Sequence, residues 1–156
     1  MMFGMFMKEF GIQEGGVEYQ ERTGAYGVVF KGDFVFIEKA RLGYFLPGGG
    51  LEKGETPEAA LEREFLEETG CEITNASFLG KTQEHIMLDE RYARKIGYFY
   101  SVDLGEKTAP SYPDGHKYPV EWVHVDTIKE FMPLESQWWA IEELYRLKRT
   151  EATNVR

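Results

Sequence analysis

The chain of 156 residues carries a formal net charge of −9, with 42% hydrophobic and 15% aromatic residues. That length suits one domain around one core, and the apolar share excludes wholesale disorder. The negative charge excludes a duplex nucleic-acid partner gripped by clustered Lys and Arg, but not a small polyphosphate that arrives with its own cation.

The opening MMFGMFMKEFG is apolar but short, lacks a basic leader and soon meets Lys8 and Glu9, so neither a signal peptide nor a membrane segment is expected. Cys71 is the single cysteine and cannot form an internal disulfide, which fits a reducing compartment. Its place after Gly70 suits a small apolar packing residue. The expected location is cytoplasmic, with no membrane partner.

Gly15 to Gln20 reads as a turn leading to an edge strand. Arg22-Thr23-Gly24 leads into the β-prone run Ala25 to Phe30, and Lys31-Gly32-Asp33 separates it from a second run, Phe34 to Glu38. These two runs predict a hairpin that delivers the chain to a glycine loop. Arg22, Arg41 and Tyr44 border that loop, either as contacts for substrate phosphate or base, or as solvated arginines and a packing tyrosine.

Gly48, Gly49 and Gly50 follow Pro47, and Gly54 comes just before the next element. Consecutive glycines let the backbone approach a bulky anion, with free N–H groups to donate to it. Thr56 is a suitable N-cap, Pro57 suits the first helical position and Gly70 is a left-handed stop, so a helix is predicted from about Pro57 to about Thr69. In that helix Glu64, Glu67 and Glu68 are related as i, i+3 and i+4 and share one side, while Leu61, Phe65 and Leu66 occupy other sectors.

This acidic face opposes the helix that carries it. Like charges at i, i+4 cost roughly 0.2–0.5 kcal/mol, and anions in the last turn meet the negative end of the macrodipole at about 0.3–1 kcal/mol. A hard divalent cation held by carboxylate oxygens reverses both penalties. A glycine loop running into bare carboxylates is odd for direct phosphate binding. It makes sense if metal ions stand between the two anions.

Gly49, five residues, Glu55, seven residues, then Arg63-Glu64-Phe65-Leu66-Glu67-Glu68-Thr69-Gly70-Cys71 resembles the signature of the Nudix (MutT-like) hydrolases, G-x5-E-x7-R-E-U-x-E-E-x-G-U, where U is bulky and aliphatic. Every polar and glycine position matches. Phe65 and Cys71 depart at the two U positions but stay apolar, and the preceding Gly43-Tyr44-Phe45-Leu46-Pro47 resembles the family's lead-in. The resemblance implies Glu64, Glu67 and Glu68, with Gly48, as the site of Mg²⁺ or Mn²⁺, and Glu67 or Glu68 as the group that orients or deprotonates water. It implies Glu55 paired with Arg63, and Arg63 steering Glu67 from four residues away. Gly48, Gly49 and Gly50 would meet the substrate.

Downstream, Cys71 to Leu79 reads as a strand continued by Lys81 to Ile86 after a bend at Gly80. Met87 to Arg91 is a polar break, and Lys95 to Leu104 is a strong strand signal. Gly105 to Pro119 contains Pro110, Pro113 and Pro119 and reads as a long loop able to cover the site. Asp114 and His116 within it, and Glu121 just after it, are candidates for an extra acid or base. Val120 to Val125 is the last expected strand, Asp126 the cap of a short helix to Phe131, and Pro133 the start of a closing helix to about Lys148. Trp138, Ile141, Leu144 and Tyr145 form its buried stripe, while Trp139 lies off it, as a stack for substrate or partner or as a half-exposed aromatic. Thr150 to Arg156 is expected to fray.

The expected class is α+β, a Nudix-type α/β/α sandwich around a central mixed sheet, with residues 1–156 as a single domain. The expected function is Mg²⁺-dependent hydrolysis of a diphosphate bond in a nucleoside diphosphate linked to another group: a nucleoside triphosphate, dinucleoside polyphosphate, ADP-ribose or nucleotide sugar. The alternative is a catalytically silent module that binds a nucleotide or protein. Monomer and homodimer both remain open.

Overall fold

The computed structural model describes residues 7–107 and 119–154. Its elements run β1 (Met7–Phe10), β2 (Gln20–Val28), β3 (Phe30–Lys31), β4 (Phe34–Ala40), β5 (Gly43–Phe45), β6 (Gly48–Gly50), α1 (Pro57–Thr69), β7 (Cys71–Leu88), β8 (Arg91–Lys107), β9 (Val120–His124), α2 (Val125–Ile128), a 3₁₀ turn (Lys129–Phe131) and α3 (Glu135–Asn154). β1, β7, β8, β2 and β6 form a mixed sheet in that order, and β3, β4, β5 and β9 form a second one. The expected α+β class and its sandwich arrangement are borne out.

Strand alternation builds the layers. Tyr26 and Val28 of β2 join Phe99, Val35, Ile37, Leu46 and the α3 residues Ala140 and Ile141 in one core cluster. Ala25 and Val29 join Phe36, Tyr100, Val102 and the α1 residues Ala60, Leu61 and Phe65 in the other. Period-two side-chain direction therefore seats α1 and α3 on opposite faces.

Several local expectations change under tertiary contacts. Gly32, at φ 60°, does turn the chain, but the strand before it is divided: β2 stays in the first sheet and only Phe30–Lys31 pair with β4 in the second. β2 is not an edge strand, because it runs parallel to β8 on one side and antiparallel to β6 on the other. Cys71 to Leu88 is one strand with register shifts, including one between Phe78 and Gly80. The polar break shrinks to Asp89 and Glu90, both at positive φ, closing a two-residue hairpin between β7 and β8.

The C-terminal boundaries move as well. His124, not Asp126, caps α2, its Nδ1 accepting from the Asp126 N–H at 3.1 Å. α3 begins at Glu135 and extends to Asn154, beyond the expected end at Lys148. Trp139 is a packing residue: it meets the rings of Phe99 and Phe10, each at 6.3 Å, and a Cβ at Gly80 would come within 2.7 Å of its ring. Among the described residues, no helix is long and apolar enough to cross a membrane.

The start of α3 is held from a distance. Glu84 of β7, 2% exposed, accepts from the Glu135 N–H (2.9 Å), the Ser136 N–H (3.3 Å) and the Ser136 hydroxyl (2.6 Å). These are donors that a helix N-terminus leaves unpaired, and an anion there also meets the positive end of the helix. Glu84→Ala removes the acceptor from buried donors and is expected to lower unfolding free energy by about 1–3 kcal/mol in urea titration.

Candidate active site

The acidic side of α1 meets the β6 glycines at the rim of the first sheet. The helix begins as expected, with Thr56 Oγ1 accepting from the Ala59 N–H at 3.1 Å, and ends on Gly70 at φ 73°. Gly48, at φ 142°, lies where a Cβ would come within 2.2 Å of the Ala25 carbonyl oxygen, so only glycine fits that approach. A Cβ on Gly49 would sit 2.6 Å from the Glu64 carboxylate carbon. The missing side chains make the space that the helix carboxylates fill.

Arg63 organises this junction. Its Nε and Nη2 donate to the two oxygens of Glu55 at 2.7 and 2.9 Å, Nη2 also reaches the Gly50 carbonyl at 3.0 Å, and Nη1 donates to Glu64 (3.0 Å) and Glu67 (3.3 Å). Glu55 in turn accepts from the Glu52 N–H at 2.8 Å. Together the guanidinium and that N–H hold the Glu55 carboxyl down at about 2. The same ion pairs raise the Arg63 guanidinium.

Glu68 turns the other way. It accepts from the Gly48 N–H at 3.1 Å and stands beside the carboxyls of Glu38 and Glu64. Burial, then the neighbouring acids Glu38 and Glu64, push its carboxyl far above the ordinary range. Burial also raises Glu38, which is 5% exposed on β4. Sequence reasoning missed Glu38. Its signal was an acid at the inward period of an otherwise apolar run, two residues after the buried Phe36.

Glu38, Glu68, Gly48 and Gly49 border a cleft of about 290 Å³ that Tyr26, Leu42, Phe45 and Leu46 line with apolar surface and Arg41 and Lys95 with positive charge. Buried Gln137 of α3 closes its back, accepting from the Leu46 N–H at 2.8 Å. Arg41 stands at the mouth, donating to both Asp89 oxygens at 2.7 and 3.0 Å.

Several residues named from sequence lie elsewhere. Tyr44 pairs with Lys39 and packs against Phe131, whereas its neighbour Phe45, opposite Glu38, lines the cleft. Strand alternation separates the two. Arg22 donates to the Gln20 side chain and is not among the cleft residues. Glu121 pairs with Lys39 at 3.4 Å, opposite Ile37 rather than Glu38, which places it on the other face of the second sheet from the cleft. Asp114 and His116 lie outside the described residues.

The donor set suits a hard divalent cation: carboxylate oxygens of Glu64 and Glu68 with a further acid, Glu38, against them. Among the described residues, no three His, Cys, Asp or Glu side chains already stand in metal-holding geometry. Arg63 draws Glu64 and Glu67 toward itself while Glu68 turns to Gly48, and Glu67 keeps 56% of its side chain exposed.

Residues 20–151 match the family model of the NUDIX domain. An RNA pyrophosphohydrolase of Sulfurovum sp. (strain NBC37-1) is 54% identical over 43 residues, which is 28% of this chain and 26% of that relative. A NUDIX hydrolase from Nitrosomonas europaea superposes with a TM-score of 0.67 at 20% identity, over 81% of this chain and 90% of its own. A MutT NUDIX hydrolase from Burkholderia pseudomallei does so at 0.62 and 20%, over 80% of this chain and 98% of its own.

The lowered Glu55 carboxyl sets the sign of an acid-stability test. A carboxylate depressed in the folded state adds stability that is present above its unfolded value, 4.5, and lost as pH falls toward about 2. Urea titrations between roughly pH 5 and pH 3 should show a smaller fall in stability for Glu55→Gln than for the unaltered protein.

Proposed function

This chain belongs to the NUDIX family, and from that premise we propose that it hydrolyses a diphosphate bond in a nucleoside diphosphate linked to another group, with Mg²⁺ or Mn²⁺ as cofactor. The observation that carries the reading is the junction at the cleft floor. Glycine backbone, Glu64 and Glu68 meet there beside a wall of apolar and cationic residues, in a cleft of about 290 Å³. The relative named RNA pyrophosphohydrolase supports the bond class and adds an RNA with a terminal pyrophosphate bond to the substrates worth testing.

Glu64, Glu68 and the reoriented Glu67 are the residues to hold the cation. A divalent ion held by such oxygens neutralises charge on phosphoryl oxygens and lowers the pKa of water. The chain's own groups do the rest. The backbone of Gly48 and Gly49 borders the space the anion enters, with the Gly48 N–H holding Glu68 beside it, and Arg41 and Lys95 receive the anion's further negative charge across the cleft. Phe45, Leu42 and Tyr26 offer the apolar surface for a base. Glu67 or Glu68 accepts the proton of the attacking water. The water oxygen bonds to phosphorus as the bridging P–O bond breaks, leaving two phosphate-ended products. Arg63 keeps the Glu64 and Glu67 carboxylates next to each other, both bonded to its Nη1, from where they turn to the cation.

A panel of nucleoside triphosphates, dinucleoside polyphosphates, ADP-ribose, nucleotide sugars and pyrophosphate-ended RNA, each with Mg²⁺ and with chelator, tests the proposal. Chelator-sensitive release of phosphate, pyrophosphate or nucleoside monophosphate from one class is the expected result. Glu67→Gln should then lower turnover by at least about tenfold with unchanged thermal melting. Silence across the panel from a folded, Mn²⁺-binding sample would instead favour a nucleotide-binding module.

A further inference from the structure

Glu38 is a buried acid with no structural reason to be charged. It sits on β4 between Phe36, which packs in the α1 cluster, and Ala40, which lines the same cleft, and burying a carboxylate there without a partner is costly. Among the described residues, no Lys, Arg or His stands within ion-pairing distance of it, and the contacts that bear on its charge are Glu68 and Glu64. Arg63, the nearby guanidinium, is committed to Glu55, Gly50, Glu64 and Glu67. Arg41 at the cleft mouth is held by Asp89, and Lys95 lies over the Tyr26 ring with 5.4 Å from Nζ to its centroid. What this arrangement lacks is a positive charge between β4 and α1.

We propose that Glu38 is a ligand of the same divalent cation as Glu64 and Glu68, reaching it from the opposite wall of the cleft. The inference rests on the cation reading given above and adds to it a ligand from outside the acidic helix. It has a structural consequence of its own. Glu68 belongs to α1, which packs on the first sheet, and Glu38 belongs to the second, so one ion ties the two sheets together at the point where the chain crosses between them. Cation binding should therefore stabilise the fold in the absence of any nucleotide.

The test uses the full chain without nucleotide. Mn²⁺ is titrated while free Mn²⁺ is followed by electron paramagnetic resonance, and thermal melts are recorded in EDTA and in Mn²⁺. Glu38→Gln keeps size and hydrogen-bonding capacity but removes the charge. Expected are Mn²⁺ binding weakened by about tenfold or more, a smaller rise of melting temperature with Mn²⁺, and a melting temperature in EDTA no lower than that of the unaltered protein, since a like charge beside Glu68 is gone. Unchanged Mn²⁺ affinity in this variant overturns the inference and leaves Glu38 as a hydrogen-bonding anchor for Glu68. If Glu64→Gln still loses Mn²⁺ under that outcome, the hydrolase reading survives it. Failure of the unaltered protein to bind Mn²⁺ removes both. Glu38→Asp, which keeps the charge and shortens the reach, supports the inference by weaker Mn²⁺ binding and overturns it by equal binding, should the Gln variant not fold.

Discussion

The guanidinium of Arg63 is the constraint on which the candidate site depends. One planar group bonds both oxygens of Glu55, the Gly50 carbonyl, Glu64 and Glu67, and so fixes the β6 loop, the helix N-terminal approach and two acidic side chains relative to each other. An exposed ion pair contributes little, but Arg63 keeps only 23% of its side chain exposed and its bond to Glu55 is two-pronged. Lysine could supply the charge at this place but not the fork. With the guanidinium absent, the acids of α1 would repel one another at a helix end that already disfavours anions.

The cleft lies beside the passage of the chain from β5 of the second sheet to β6 of the first, where Phe45, Leu46 and Gly48 line it. The crossings between the sheets are not left loose: the Phe36 N–H bonds the Val29 carbonyl at 3.0 Å, and the Gly27 N–H bonds that of Pro47 at the same distance. Gln137 and Glu84 extend the bracing to α3, one by accepting from the Leu46 N–H and the other by capping the helix start. Polar groups that would be costly to bury unpaired are used where elements must be placed to fractions of an ångström. The result is a floor of glycine backbone and carboxylates beneath a wall whose apolar and cationic residues come from four different strands and their loops.

The most flexible-looking part of the mouth is also tied. Asp89 and Glu90 adopt the left-handed conformation without glycine's freedom, and Arg41 grips Asp89 across the entrance. Both partners are mostly exposed, so this tie is weak and open to exchange with an incoming anion.

Much of the site was legible in the linear order of residues. The α1 boundaries, the Thr56 cap, the Gly70 stop, the shared face of Glu64, Glu67 and Glu68, and the reach of Arg63 to Glu67 follow from helical period and capping chemistry, which act over a few residues. The Arg63–Glu55 pair was legible through the resemblance of the motif. What the linear order did not carry depends on pairings between distant strands. The parallel match of β2 with β8 turned an expected edge into an interior strand, and the β4–β5 register turned Phe45 and not Tyr44 toward the cleft. Helix packing on the sheets brought Glu38 against Glu68 from thirty positions away and seated Trp139 over Gly80. Local chemistry decided which residues could serve the site. Because strand side chains reverse face at every step, only the register of long-range pairing could decide which of them point into it.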